Sequence, residues 1–134
     1  MRTRSALTLD DVRSAMAACE AEAKANDWKV CIAIVDNAGL LWQLTRMDGA
    51  GALTSEVATA KARTSALTGR ASQFWEERVK ERVGFLNFPH LLPITGGVPL
   101  IVAGECVGAI GVSGVQSHQD EQVALAGAKT LPPS

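Results

Sequence analysis

Tyrosine is missing from the 134 residues, and the three Trp and three Phe make up only 4% of them. So sparse a set of rings argues against the stacking platforms that grip single-stranded nucleic acid. A basic excess is missing too. Thirteen Lys and Arg stand against fourteen Asp and Glu, for a net charge of −1, which leaves no electrostatic footprint for a polynucleotide. No apolar run approaches the roughly 18 residues that a membrane helix needs. The opening MRTRSALTLDD has no apolar core of the signal-peptide kind, so the expected location is the cytoplasm. Cysteine is scarce and scattered: Cys19, Cys31 and Cys106 argue against a disulfide framework and against a Cys-x-x-Cys metal site. They read as small buried hydrophobes. His90 and His118 are the only histidines, too few for a protein zinc site by themselves.

What is present is apolar and glycine-rich. Hydrophobic residues reach 47%, ordinary for a globular chain and far too many for a disordered one. The length predicts one domain, with its core over about residues 7–131. Thr8 and Asp11 read as a capping-box variant. Val12, Met16, Cys19 and Ala23 then form one helical stripe. Residues 29–47 read as a β-hairpin: a buried strand, an Asp36–Gly39 turn, then an alternating strand over 40–47. The Asp36 carboxylate suits an Asx-turn. Thr54 is expected to cap an alanine-rich helix ending at Gly69, and Ser72 a third helix with Phe74 and Trp75. Trp28, Trp42 and Trp75 read as core or interface fillers. The stretch 84–94 is a loop, unusually apolar, that covers a pocket or makes a subunit contact.

The segment Thr95–Asp120 holds half of the chain's glycines. It reads as two strands joined at Ala103-Gly104. Gly108, Gly111 and Gly114 in the second strand mark a place where a helix or a ligand approaches the backbone. Their spacing lacks the dinucleotide-binding pattern. Ser113 lacks a nucleophile elbow. Gln119-Asp120-Glu121 reads as the cap of a last helix, and Leu131–Ser134 as a tail. The order is α-β-β-α-α-β-β-α, which predicts an α+β fold: an antiparallel sheet with helices packed on it.

IAIVDNAGLLWQLTRMDGA, ATAKARTSALTGR, GGVPLIVAGECVGAIGVSG and QDEQVA together resemble the GlcG/HbpS family of small heme-binding proteins. The C-terminal domain of PduO-type corrinoid proteins is similar. The resemblance implies a profilin-like α/β sandwich with a five-stranded antiparallel sheet. It also implies assembly into homo-oligomers, heme as cofactor, and in some members heme degradation or redox sensing, often beside catabolic operons.

Candidate site residues follow. Arg46 and Asp48 flank Met47. They either brace the loop as an ion pair, or Arg46 holds a carboxylate or heme propionate through its guanidinium fork. Lys61 stands among Ala58, Ala60 and Ala62, with Thr64 on roughly the same face. It is a solvated side chain, or a partly desolvated one that holds an anion or acts as a base. His90, in the apolar loop, is the preferred iron ligand, with His118 the other candidate. Gly96, Gly97 and Pro99 bring backbone close to a ligand or form a tight turn into the strand. An alternative is an enzyme without heme acting on a small carboxylate or carbonyl compound, with Lys61 and Asp48 as catalytic groups and Arg46 orienting the substrate. A third is an accessory subunit without chemistry. No nucleic-acid or membrane partner is expected.

Overall fold

The computed structural model describes residues 1–133; Ser134, the end of the expected tail, lies outside them. The elements run α1 (Leu9–Ala25), β1 (Cys31–Asp36), β2 (Leu41–Arg46), α2 (Thr54–Thr68), α3 (Ser72–Glu81), a 3-10 turn (Val83–Asn87), β3 (Gly97–Val102), β4 (Glu105–Ser113) and α4 (Ser117–Ala128). The strands form one antiparallel sheet in the order β2-β1-β4-β3. Among the described residues it has four strands, not five. Two hairpins supply all of them. The stretch between α3 and β3 carries Pro89 and Pro93, which lack the N–H that a ladder needs, and it folds as an irregular strap.

Local signals account for most element ends. Thr8 Oγ1 accepts from Asp11 N at 3.2 Å and Asp11 Oδ2 accepts from Thr8 N at 2.8 Å, which closes the capping box of α1. Asp36 Oδ1 accepts from Ala38 N and Leu40 N, so the first hairpin turns on the expected carboxylate. Ala103 and Gly104 both have positive φ, 50° and 77°, the requirement of a tight hairpin turn. Two expected caps are different. α2 starts after Leu53 and α3 after Ala71, neither with a side-chain cap. Thr54 bonds back to Gly51 O, and Ser72 is drawn away to Gly97.

The two sheet faces differ in side-chain size. Ile32, Ile34, Val98, Leu100, Ile110 and Val112 meet Met16, Cys19 and Val123 of α1 and α4 in the larger core. Fully burying one such aliphatic side chain stabilises by about 1.5–3 kcal/mol. The other face is built of Cys31, Ala33, Val35 and Ala109 against Ala58, Ala62 and Ala66 of α2. Small residues on both sides let α2 come down onto the strands. A Cβ at Gly111 would collide with Ala58 O and Ala62 N, and one at Gly97 with Lys61 O. At Gly111 the partner that approaches the glycine backbone is therefore a helix of the same chain, whereas Gly108 lies against Val35 O of β1 and Gly114 against Lys29 O just before it.

Trp28 packs against the larger core, whereas Trp42 is exposed. Cys19 and Cys31 are buried as expected, and Cys106 is only half-buried. Among the described residues, no helix is long and apolar enough to cross a membrane.

Gly111→Ala places a methyl against helix backbone that cannot step aside. It is expected to lower stability by about 1–3 kcal/mol or more. Gly51→Ala, whose Cβ meets nothing within 4 Å, serves as the control in urea unfolding. Equal midpoints for the two variants would contradict the close packing of α2.

Candidate functional site

The region expected to form the site lies at the end of the sheet where β4 leaves for α4. Lys61 projects from α2, only 2% exposed. Its ammonium donates to Val112 O and to Asp120 Oδ2, both at 3.0 Å. Asp120 is also 2% exposed, and its second oxygen accepts from Val115 N at 3.2 Å. It stands inside the first turn of α4 instead of capping it; Gln116 and Gln119 make the capping box. Burial pushes the Asp120 carboxyl up, and the Lys61 charge and hydrogen bond pull it back. The lysine does hold an anion, and that anion is the chain's own aspartate.

Thr64 is fully buried. Its hydroxyl donates to Ala60 O at 2.8 Å and accepts from Leu92 N at 2.7 Å. That second bond ties the apolar strap to α2. Two more anchors act from α3. Glu76 Oε1 accepts from Thr95 N at 2.9 Å, and Ser72 Oγ accepts from Gly97 N at 2.8 Å. Glu76 also raises the pKa of Glu121, after burial, the larger cause. Gly96, at φ 136°, is crowded by Lys61 Nζ and Val112 O. Gly96 and Gly97 thus admit α2 and its lysine. Gly97 N points away from β4, and Pro99, two residues on, shares that outer side. There the missing N–H of a proline costs no ladder bond.

Just before the first of these anchors the strap carries His90, exposed and at φ 62°, a conformation uncommon outside glycine. Around it the strap exposes Val83, Leu86, Phe88 and Ile94. Behind it Trp75, Phe85 and Phe88 pack edge to face or tilted, with centroids 5.0–6.1 Å apart. Arg82 lies over Phe85 at 5.6 Å.

Arg46 and Asp48 are elsewhere. Both are exposed and line a groove of about 420 Å³ with Glu20, Lys24 and Lys29. They form no ion pair with each other among the described residues. Arg46 is paired across the sheet with Cys31. The Cys31 thiol is pushed up by burial, with a Ser55 hydrogen bond and the Arg46 charge pulling the other way. Arg46 thus sits near the start of α2. The structure joins Lys61, Thr64, Gly96 and Gly97 into one framework under the strap and leaves Arg46 and Asp48 outside it. Asp120, Glu76 and Ser72 were not singled out for this framework from the sequence. The one available signal was the isolated Lys61, which had to find a carboxylate, but 59 residues separate it from Asp120. His118 is exposed near Asp120, and no three His, Cys, Asp or Glu converge as a metal site among the described residues.

A family model described as haem degrading protein HbpS-like matches residues 7–129. The chain belongs to the HbpS-like family. Protein GlcG of Escherichia coli K12 is 40% identical over 114 residues, 84% of this chain and 85% of its own length. A double mutant of Streptomyces reticuli HbpS superposes with a TM-score of 0.93 at 30% identity, covering 99% of this chain and 92% of the other. A structure of PduOC in complex with heme has a TM-score of 0.87 at 24% identity, over 95% of this chain and 96% of its own; at that identity it speaks to the fold. For this HbpS-like chain, the family assignment agrees with the resemblance carried by its motifs.

Breaking the buried pair from one side leaves an uncompensated charge, at a cost of about 3–5 kcal/mol. Lys61→Met and Asp120→Leu are each expected to unfold at correspondingly lower urea. The double variant should recover part of the loss, because an apolar pair needs no counter-charge, while the bulkier Leu and the freed Val112 O and Val115 N keep it below the native stability. A double variant as unstable as the sum of the two singles would show that the charges do not depend on each other.

Proposed function

We propose that this chain binds heme on the strap, with His90 as the iron ligand. The observation that carries the reading is an exposed imidazole on an apolar segment pinned by side chains from α2 and α3. Neutral imidazole is a good iron ligand, and Val83, Leu86 and Phe88 offer the apolar surface that a porphyrin needs. Thr64, Ser72 and Glu76 fix the strap through Leu92, Gly97 and Thr95. In this reading Lys61, Gly96, Gly97 and Pro99 are positioning residues that set the base of the strap. The family supports heme as the ligand. Bound heme would supply redox-active iron, from which degradation or redox sensing would draw; the chain's own residues bind and orient it.

Arg46 has the guanidinium fork suited to a propionate, yet it stands apart from the strap in the same subunit. We therefore read the complete site as shared, with a second subunit bringing its Arg46 groove to the strap of the first. This makes the chain a homo-oligomer whose ligand lies between copies. Lys61 as a general base finds no support, since its ammonium is already engaged by Asp120 and Val112.

Hemin titration followed by absorbance tests the reading. A saturable Soret shift is expected for the native chain and for His118→Ala, and its loss in His90→Ala. Arg46→Ala should weaken binding about tenfold, the size of one lost charged hydrogen bond. A linear, unsaturable rise identical in every variant would mean adsorption, and heme would be abandoned.

A further inference from the structure

One line along α2 is only partly covered by the rest of the chain: Ala60 and Arg63 on it are half-buried, with the turn at Gly39 against Arg63 and Leu67. Leu53, Glu56, Ala60, Arg63 and Leu67 recur at spacings of three and four, so they follow a single ridge of the helix. Leu53 and Leu67 at its two ends are 67% and 49% exposed, and Ala60, midway between them, is small. α3 meets α2 on a different line, where Trp75 Nε1 donates to Thr68, and the strap meets it at Thr64. The side toward β2 is open as well. Leu44 pairs with Ala33 across the sheet, on the face that α2 covers, yet α2 does not reach that far. Leu41 and Leu44 therefore wall a groove of about 350 Å³ against Ser55, Glu56, Thr59 and Arg63.

The two sheet edges are treated differently. On β3, Ser72 takes the outward N–H of Gly97, and Pro99 removes the next donor on that side. Those are devices that blunt an edge. On β2 there is neither a proline nor, among the described residues, a cap, and Leu41, Trp42 and Leu44, with Leu40 just before them, are all exposed. An apolar strip beside an unblunted edge is uncommon on a chain that stays alone.

The charges on the α2 ridge say what fits there. Glu56 and Arg63 are seven residues apart, about 10 Å along the axis. Neither forms an ion pair within the chain among the described residues. Lay a second copy of α2 antiparallel across the first, with the two-fold axis beside Ala60. Leu53 then faces Leu67 of the partner subunit, Glu56 faces Arg63 of the partner subunit, and small Ala60 lets the backbones approach. The ridge is complementary to itself under that rotation, as a two-fold interface requires.

We propose that two copies of this chain associate through the α2 ridge and the adjoining Leu41–Leu44 groove, held in register by two reciprocal Glu56–Arg63 ion pairs. This rests on the reading of the chain as a homo-oligomer, and it goes further in naming the face and the pairs that specify it.

Sedimentation equilibrium tests it with Glu56→Arg, Arg63→Glu, their equimolar mixture and the double variant E56R/R63E, each checked by circular dichroism. Each single variant sets like charges against each other at both pairs and is expected to weaken association by on the order of a hundredfold. Mixing the two singles should restore the native mass, because the acidic ridge of one then meets the basic ridge of the other. The double variant, with both charges exchanged, should also restore it. Leu67→Lys should weaken association without touching either charge. A native chain that is monomeric at every concentration would remove self-association and this proposal together. A native oligomer whose mass all single variants retain would leave self-association standing and overturn this face. Singles that dissociate but are not rescued by mixing would overturn the reciprocal pairing.

Discussion

The close approach of α2 to the sheet is the constraint on which the other features of this fold depend. Alanines on the helix and glycines at positions 97 and 111 bring backbone against backbone. At that separation the long Lys61 side chain cannot escape to solvent along the helix. It passes Gly96 and ends between Val112 and Asp120. A charge in that position is tolerable only with a counter-charge and further hydrogen bonds, and Asp120 supplies the first. One packing decision thus fixes the start of α4, the turn after β4 and the entry into β3.

The same decision makes the two faces unequal. The face under α1 and α4 carries the large aliphatics and behaves as an ordinary core. The α2 face is thin, and a single helix over β1, β4 and β3 leaves β2 bare. What is left bare is not random surface: it holds leucines, a tryptophan and, on a single ridge of α2, one charge of each sign without an ion pair among the described residues. The strap on the other flank of α2 is the counterpart. It too is apolar and exposed, but it is pinned at three points and presents a single histidine.

Much of the fold was legible because its signals are local. Thr8 with Asp11, Asp36 with its turn, and Ala103-Gly104 at the second hairpin each act within four residues, and each does what its chemistry dictates. Caps were less legible. Ser72 has the right side chain for the start of α3, but a buried N–H at Gly97 competes for it and wins, because an unsatisfied buried donor costs more than an uncapped helix end that water reaches. The fifth strand expected from the family resemblance has no segment to form it, since the prolines of the strap interrupt any ladder there.

By itself the sequence determined the order of helices and strands, the antiparallel hairpins, the family, and the need for something to lie close against the glycines of the last strand. Each follows from periodicity, turn chemistry or residue size over short distances. The tertiary structure alone decided that the group approaching Gly111 is α2 while Gly108 and Gly114 meet backbone of and beside β1, that Lys61 and Asp120 neutralise each other across 59 residues, and that Arg46 stands apart from His90. Those outcomes depend on which surfaces meet when the chain closes on itself, and no short-range pattern records that.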